Sequence, residues 1–317
     1  MKIARYFERR LVHSIALLIA ISALAFAISQ LAPGSFLDEM KLNPQVSAQT
    51  IDGLRSQYGL DQPLAVRYFR WLKSVAVGDF GYSLAYNLPV RNLIWERLRN
   101  TLLLGTAAML LAWGLALACG IWSGYQAQRW LDRLFVTSST VLLGTPELVL
   151  ALLFILAAAD YGTRFPAAIQ AQGGEGLVTL RHLAIPAIVL AIGAFPILFR
   201  HIRSAMNEAW NSPFMQAARG HGIGDARLLL RHALPAAANP LISLFGLSLA
   251  GLVSGSFLVE VITGWPGVGP LFLEAIYARD FHVVMAVVML FALFLVVSNL
   301  IADLLLYAAD PRVRAEC

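Results

Sequence analysis

The chain has 317 residues, of which 58% are hydrophobic and 14% charged, with a mean hydropathy of +0.68. Soluble domains carry about a quarter charged residues, so this composition excludes that class and fits a polytopic membrane protein. The net charge of +5 and pI near 9.4 do not imply nucleic acid, because the basic residues are scattered along membrane-flanking segments, where they orient helices.

Lys2, Arg5, Arg9 and Arg10 precede an apolar run over residues 11–31, long enough to cross about 30 Å of hydrocarbon as a helix. A rival reading exists: the basic start, apolar centre and Ala25-Phe26-Ala27 also fit a cleaved signal peptide. The run continues past that site through Ile28 and Leu31, which favours a retained span. Residues 35–100 are mixed, with eight Lys or Arg and six Asp or Glu, and read as an external subdomain. Amphipathic helices are predicted near 48–58, 63–77 and 90–98, with Tyr68, Trp71, Leu72 and Val75 in one helical stripe. The stripe suits packing, with a ligand platform as the rarer alternative.

Further apolar runs at 101–122, 134–159, 183–199, 236–262 and 283–306 bring the total to six transmembrane helices in an all-α integral membrane protein. The predicted organisation is a tail and first span (1–34), an external helical subdomain (35–100) and a five-span core (101–317) containing a polar loop at 200–235. The loops 123–133 and 200–235 and both termini hold thirteen Lys or Arg, against three in the loops after the third and fifth spans. The basic side is cytoplasmic, so both termini face inward.

Glu147, in Gly144-Thr145-Pro146-Glu147, is a carboxylate well inside the third predicted span. Such a group is expensive and marks either a substrate path or a pairing across a subunit interface. Pro146, Pro186 and Pro196 predict kinks or helix ends. The fifth span is rich in small residues, Gly246, Ala250, Gly251, Ser254 and Gly255, a face that permits close helix packing or lines a path between subunits. Cys119 and Cys317 lack partners at metal or redox spacing, which argues against cysteine chemistry.

The most polar stretch of the core is 207–235, NEAWNSPFMQAARGHGIGDARLLLRHALP, which reads as helix, glycine joint and helix. Ser212 is the predicted N-cap and Pro213 the first helical residue; Gly220 and Gly222 supply the left-handed stop, and Gly224-Asp225 opens a second helix. Phe214, Ala217, Ala218 and His221 fall at i, i+3, i+4 and i+7, one narrow face suited to another protein's groove.

Here the sequence resembles the permease subunits of bacterial ABC importers, and among them the dipeptide, oligopeptide and nickel group. That family's loop reads Glu-Ala-Ala, three residues, Gly, nine residues, Ile-x-Leu-Pro. Gln216, Ala217, Ala218, Gly222, Leu234 and Pro235 occupy those positions, with Gln216 replacing the Glu and His232 the Ile. The resemblance extends through Arg9-Arg10-Leu11 and Leu31-Ala32-Pro33-Gly34, Gly59-Leu60-Asp61-Gln62-Pro63 and Gly78-Asp79-Phe80-Gly81-Tyr82-Ser83. It continues through Glu260, Trp265-Pro266-Gly267, Gly269 and Asp280 to Asn299, Asp303 and Asp310-Pro311-Arg312.

The resemblance implies a type I permease fold in the bacterial inner membrane, paired with a second homologous permease. It also implies two ATP-binding subunits, which bind ATP and Mg in place of this chain, and an external substrate-binding protein. The loop is then the coupling helix seated in a cleft of the ATPase, and the cargo a peptide, a nickel chelate or a similar small solute. The residues agree on nucleotide: a phosphate loop needs Gly-x4-Gly-Lys-Ser/Thr, and of Lys2, Lys41 and Lys73 only Lys73 precedes a Ser, with Arg67 and Leu72 at the glycine positions. Two other classes make different demands on the sequence. A stand-alone secondary transporter calls for an inverted repeat or several buried carboxylates. An intramembrane protease needs a nucleophile or metal motif; no histidine precedes a Glu, and Gly246-Leu247-Ser248 only weakly echoes a serine protease.

Overall fold

The structure, a computed structural model, describes residues 2–31, 61–160 and 180–309, together with residues 47, 49, 53, 55 and 56. The helix expected near 48–58 and the family position Asp310 therefore lie outside the described residues, apart from those isolated positions. The elements in chain order begin with α1 (Lys2–Leu31), α2 (Leu64–Ala76) and a hairpin of β1 (Tyr82–Ser83) and β2 (Leu88–Pro89). There follow α3 (Val90–Tyr125), α4 (Trp130–Gly144), α5 (Glu147–Asp160), α6 (Leu180–Trp210) and α7 (Pro213–Gly220). α8 (Asp225–Leu228) continues through a π-turn, Leu229–Ala233, into α9 (Leu234–Thr263), ahead of α10 (Val268–Tyr277) and α11 (Phe281–Ala309).

Among the described residues, five helices are long and apolar enough to cross a membrane, and the count reaches seven if each of two bent helix pairs is one span. The first bent pair revises the sequence reading. Residues 134–159 are not one rod: α4 and α5 meet at 104° across Thr145-Pro146. Pro146 cannot donate the helical hydrogen bond and biases Thr145 toward extended backbone, and Thr145 indeed has ψ 119. Pro186 and Pro196, by contrast, are absorbed within α6. α9 ends at Gly264, which is in the left-handed region at φ 69.

The chain divides into two compact units, one of residues 1–6, 101–265 and 294–317 and the other of residues 7–100 and 266–293. In the second unit the Tyr68–Trp71 stripe of α2 packs onto α1, with Phe26 edge-on to Tyr68 at 5.3 Å and to Phe281 at 5.4 Å. The Ser22 and Tyr68 hydroxyls share a hydrogen bond of 2.8 Å. Trp71 is buried, so the stripe is packing and not a ligand platform. α1 runs unbroken through Ala25-Phe26-Ala27, and Phe26 is part of this core.

The Gly78–Ser83 motif also has a physical basis in this unit. Gly78 (φ 81) closes α2, its N–H donating to the Val75 carbonyl at 2.9 Å, and the Gly81 N–H donates to Asp79 Oδ1 at 2.9 Å. A Cβ on Gly81 would lie 2.3 Å from the His282 ring, so only glycine fits. Buried Asp280 accepts from the Ser83 hydroxyl at 2.6 Å and the Ala85 N–H at 3.2 Å, tying the hairpin to the start of α11. Tyr86 donates to Glu274 of α10, and burial together with that carboxylate raises the Tyr86 hydroxyl well above its ordinary range. Asn100 Nδ2 donates to the Pro266 carbonyl at 2.8 Å. Asp61 pairs with Arg55 at 2.8 Å on the surface, where an ion pair contributes little.

The core of the first unit is formed by α3, α4, α6 and α9, through Ala112, Ala116, Phe199, Ile202, Met206 and Leu241 among others. The α3–α6 approach depends on two glycines one turn apart. A Cβ on Gly120 would lie 2.8 Å from Ile202, and one on Gly124 2.7 Å from Met206 Cβ. This Gly-x-x-x-Gly spacing is a membrane packing signal that the sequence reading did not pick out.

Candidate coupling site

The polar loop is built on the C-terminal ends of α3 and α6. Tyr125, the last residue of α3, stands edge-on to Trp210, the last of α6, at 4.6 Å. Arg219 of α7 lies over the same Trp210 ring, 4.3 Å from its centroid, a cation–π contact. The Tyr125 hydroxyl donates to Asp225 Oδ2 at 2.9 Å, which ties the start of α8 to α3.

α7 starts as expected at Pro213, but Ser212 does not cap it with its side chain. The Ser212 hydroxyl donates backward to the Ala209 carbonyl at 2.6 Å, and the Ser212 carbonyl accepts from the Met215 and Gln216 N–H groups. The left-handed stop belongs to Gly222 alone (φ 75); Gly220 is the last regular residue of α7. A Cβ on Gly222 would meet nothing within 4 Å, so its requirement is conformational and not steric. Gly224 takes the N-cap of α8 with extended backbone.

Met215 and Leu228 are fully buried and anchor the loop, while Phe214, Gln216, Ala217 and His221 are exposed. Ala218 departs from the expected face: it is half-buried and packs with Ile223 against the core. The exposed edge is therefore Phe214, Gln216 and Ala217, with Phe214 48% exposed. Leu234 packs inward and Pro235 sits exposed in the first turn of α9. The π-turn 229–233 precedes it, with the Leu234 N–H reaching the Leu229 carbonyl. The wide turn lies where Pro235 lacks an N–H and its ring crowds the preceding turn.

One helical turn ahead of the loop, Arg203 of α6 grips Asp132 of α4 through Nε to Oδ1 at 2.7 Å and Nη2 to Oδ2 at 2.8 Å. Ser123 of α3 donates to Asp132, and the Gln128 N–H does so at 2.8 Å. Three helices are thereby cross-linked at one buried carboxylate. Sequence reading missed this pair, because both residues looked like ordinary loop-flanking charges.

Glu147 opens α5 at the break, a half-helix N-terminus that favours negative charge. Its carboxylate faces two glycines: a Cβ on Gly193 of α6 would lie 3.5 Å from it, and one on Gly255 of α9 3.7 Å. Gly251 does not serve close packing within this chain, since its Cβ would meet nothing within 4 Å; Gly246 does, against Ala302 of α11. Ser254 lies within α9, and its side chain is outside the described set. Buried Glu260 accepts from the Ser256 hydroxyl at 3.0 Å, and its carbonyl caps the helix by accepting from the Trp265 N–H. Asn299 and Asp303 are half-buried on α11.

Residues 116–315 match the family described as binding-protein-dependent transport system inner membrane component, and residues 3–105 match the N-terminal segment of such components. The chain belongs to this family. The oligopeptide transport system permease protein AppB of Bacillus subtilis is 35% identical over 318 residues, covering 98% of this chain and 99% of that protein. The glutathione transport system permease protein GsiC of Salmonella paratyphi A is 32% identical over 312 residues, covering 98% of each. Among solved structures, the MetNI methionine ABC transporter in inward-facing conformations gives a TM-score of 0.56 at 19% identity, over 69% of this chain and 96% of that one. An amino acid ABC transporter gives 0.55 at 18% identity, over 68% and 94%. At these identities the likeness concerns the fold, which is that of a type I permease. The chain is a permease subunit of an ABC importer and a multi-pass inner-membrane protein. As such it works with an ATPase and a substrate-binding protein. Family membership displaces the secondary-transporter reading. Ser248, the residue of the weak serine-protease echo, accepts from the Trp113 indole at 2.9 Å and donates to the Phe245 carbonyl.

Proposed function

We propose that this permease imports peptides or similar small solutes, pairing with a second homologous permease over two ATPase subunits that bind ATP and Mg. A substrate-binding protein delivers cargo to the outer face, and both termini lie in the cytoplasm, as the basic flanks require. The peptide assignment rests on relatives named for oligopeptide, peptide and glutathione transport, each matched along nearly its whole length.

The observation that carries the mechanism is the loop's division into a buried anchor, Met215 and Leu228, and an exposed edge, Phe214, Gln216 and Ala217. We assign that edge to the ATPase cleft, with Gly222, Leu234 and Pro235 setting its angle. Closure of the ATPase pair then pushes on α7, and Trp210 and the Arg203–Asp132 link pass the displacement to α6, α3 and α4. Glu147, Gly251, Ser254 and Gly255 are assigned to the pathway or the permease interface. Of the family positions, Asp79, Glu260, Pro266 and Asp280 hold the scaffold through the hydrogen bonds described above, while Asp61 makes a surface ion pair and Asn299 and Asp303 are half-buried on α11. Uptake of labelled dipeptides and oligopeptides by cells expressing the complete importer tests the cargo: accumulation that depends on this chain supports it, and none from an assembled, ATP-hydrolysing complex overturns it.

A further inference from the structure

An open groove of about 510 Å³ runs between α4 and α6, lined by Val136 and Leu143 on one side and Ile197, Arg200, His201, Arg203 and Ser204 on the other. Ile197, Arg200, His201 and Ser204 stand at i, i+3, i+4 and i+7, so they share one face of α6 over about 10 Å. That face changes character along its length. Ile197 belongs to the apolar run and, with Leu143 opposite, is exposed; Arg200 is the first charged residue after the run, followed by His201 and Ser204.

The groove is also positively charged. Arg203 is neutralised by Asp132, whose carboxylate points into the bundle and is consumed by Arg203, Ser123 and the Gln128 N–H. Arg200 and His201 are exposed and form no ion pair or side-chain hydrogen bond among the described residues, and no carboxylate lines the groove. A donor-rich end carrying the Arg200 charge, continuous with an apolar floor and placed where a span leaves the hydrocarbon, matches a phospholipid in both shape and charge.

We propose that this groove is a binding site for an anionic glycerophospholipid. The phosphodiester receives the Arg200 guanidinium, the His201 imidazole and the Ser204 hydroxyl, and an acyl chain lies along Val136, Leu143 and Ile197. A net-negative headgroup is preferred over a zwitterionic one, because the latter's ammonium would face Arg200 with no carboxylate to answer it. In the orientation proposed above the lipid belongs to the cytoplasmic leaflet. There it braces α4 against α6 beside the Arg203–Asp132 link.

Native mass spectrometry of the intact importer in detergent tests this, with dioleoyl-phosphatidylglycerol and dioleoyl-phosphatidylcholine titrated in separate arms and glycerol phosphate as a chain-free competitor. Arg200→Gln should weaken phosphatidylglycerol binding about fivefold and bring it near the phosphatidylcholine level. Arg200→Lys should keep most of the preference, and Arg91→Gln, at an exposed arginine of α3, should leave it unchanged. Glycerol phosphate should not displace the lipid. Equal binding of the two lipids by the unmodified importer, or undiminished binding by Arg200→Gln, would overturn the proposal. Displacement by glycerol phosphate would show a free-phosphate site instead. A cross-link between two permease chains through cysteine at Ser204 would show that the groove is a protein interface.

Discussion

Arg203 and Asp132 meet in a two-pronged contact, 2.7 and 2.8 Å, that joins α6 to α4 one helical turn ahead of the polar loop 207–235. The Asp132 side chain is 3% exposed and that of Arg203 28%. Removing one partner leaves the other charge shielded from water without its counterion, which costs about 3 kcal/mol or more. Asp132→Asn and Arg203→Gln should each lower the melting temperature of the purified complex, and Asp132→Arg combined with Arg203→Asp should recover part of the loss. Unchanged melting in both single variants would make the contact incidental.

The α3–α6 glycines and Gly251 make opposite predictions. Gly124→Leu forces a side chain where Cβ alone would lie 2.7 Å from Met206 Cβ and 3.0 Å from the Arg203 carbonyl, an overpacking worth about 1–3 kcal/mol. Gly251→Ala meets nothing within 4 Å in this chain, so the isolated subunit should tolerate it. If Gly251→Ala spares the folded subunit yet weakens recovery of the second permease, that face belongs to the permease interface. Thermal unfolding and co-purification measure the two effects.

Glu147 tests the path. A carboxylate at the centre of a span costs roughly 3 kcal/mol on insertion scales, so Glu147→Gln should insert at least as well as the unmodified chain. Because the group opens a half-helix between Gly193 and Gly255, loss of its charge should change the KM for uptake or the recovery of the partner permease. Identical uptake kinetics and full assembly would leave Glu147 without a transport role.

Gly222 tests the joint. At φ 75 a side chain pays about 1–2 kcal/mol in backbone strain, and the open space around it removes any steric contribution. Gly222→Leu should therefore insert normally, since insertion depends on the apolar runs, and yet recover less ATPase subunit and transport less. Gly220→Ala, within regular helix, should do neither.

These contrasts trace what the sequence made legible. Apolar runs long enough to cross a bilayer, the basic flanks and the Gly222 stop were readable because each depends on local composition or one backbone angle. The third span misled because apolarity ignores direction: residues 134–159 satisfy a hydropathy window whether or not Pro146 bends the chain by 104°. Pro146 was the available signal. Ser212 had the right residue type at the right place, but its hydroxyl had a competing acceptor in Ala209. Asp132 and Arg203 are 71 residues apart, a pairing that only the tertiary fold brings together. Gly120 and Gly124 carried a spacing signal equal to that of Gly251 and Gly255, and only the packing distinguishes the pair that is used within the chain.

The central claim is that Phe214, Gln216 and Ala217 form the face that meets the ATPase. A photo-cross-linking amino acid at Phe214, which is exposed and beside the buried anchor Met215, reports this contact in native membranes without disturbing the fold. Position 214 should give a cross-link to the ATPase subunit, and position 73, an exposed lysine of α2, should give none. The contradicting result would be a fully assembled, transporting importer in which position 214 yields no ATPase adduct.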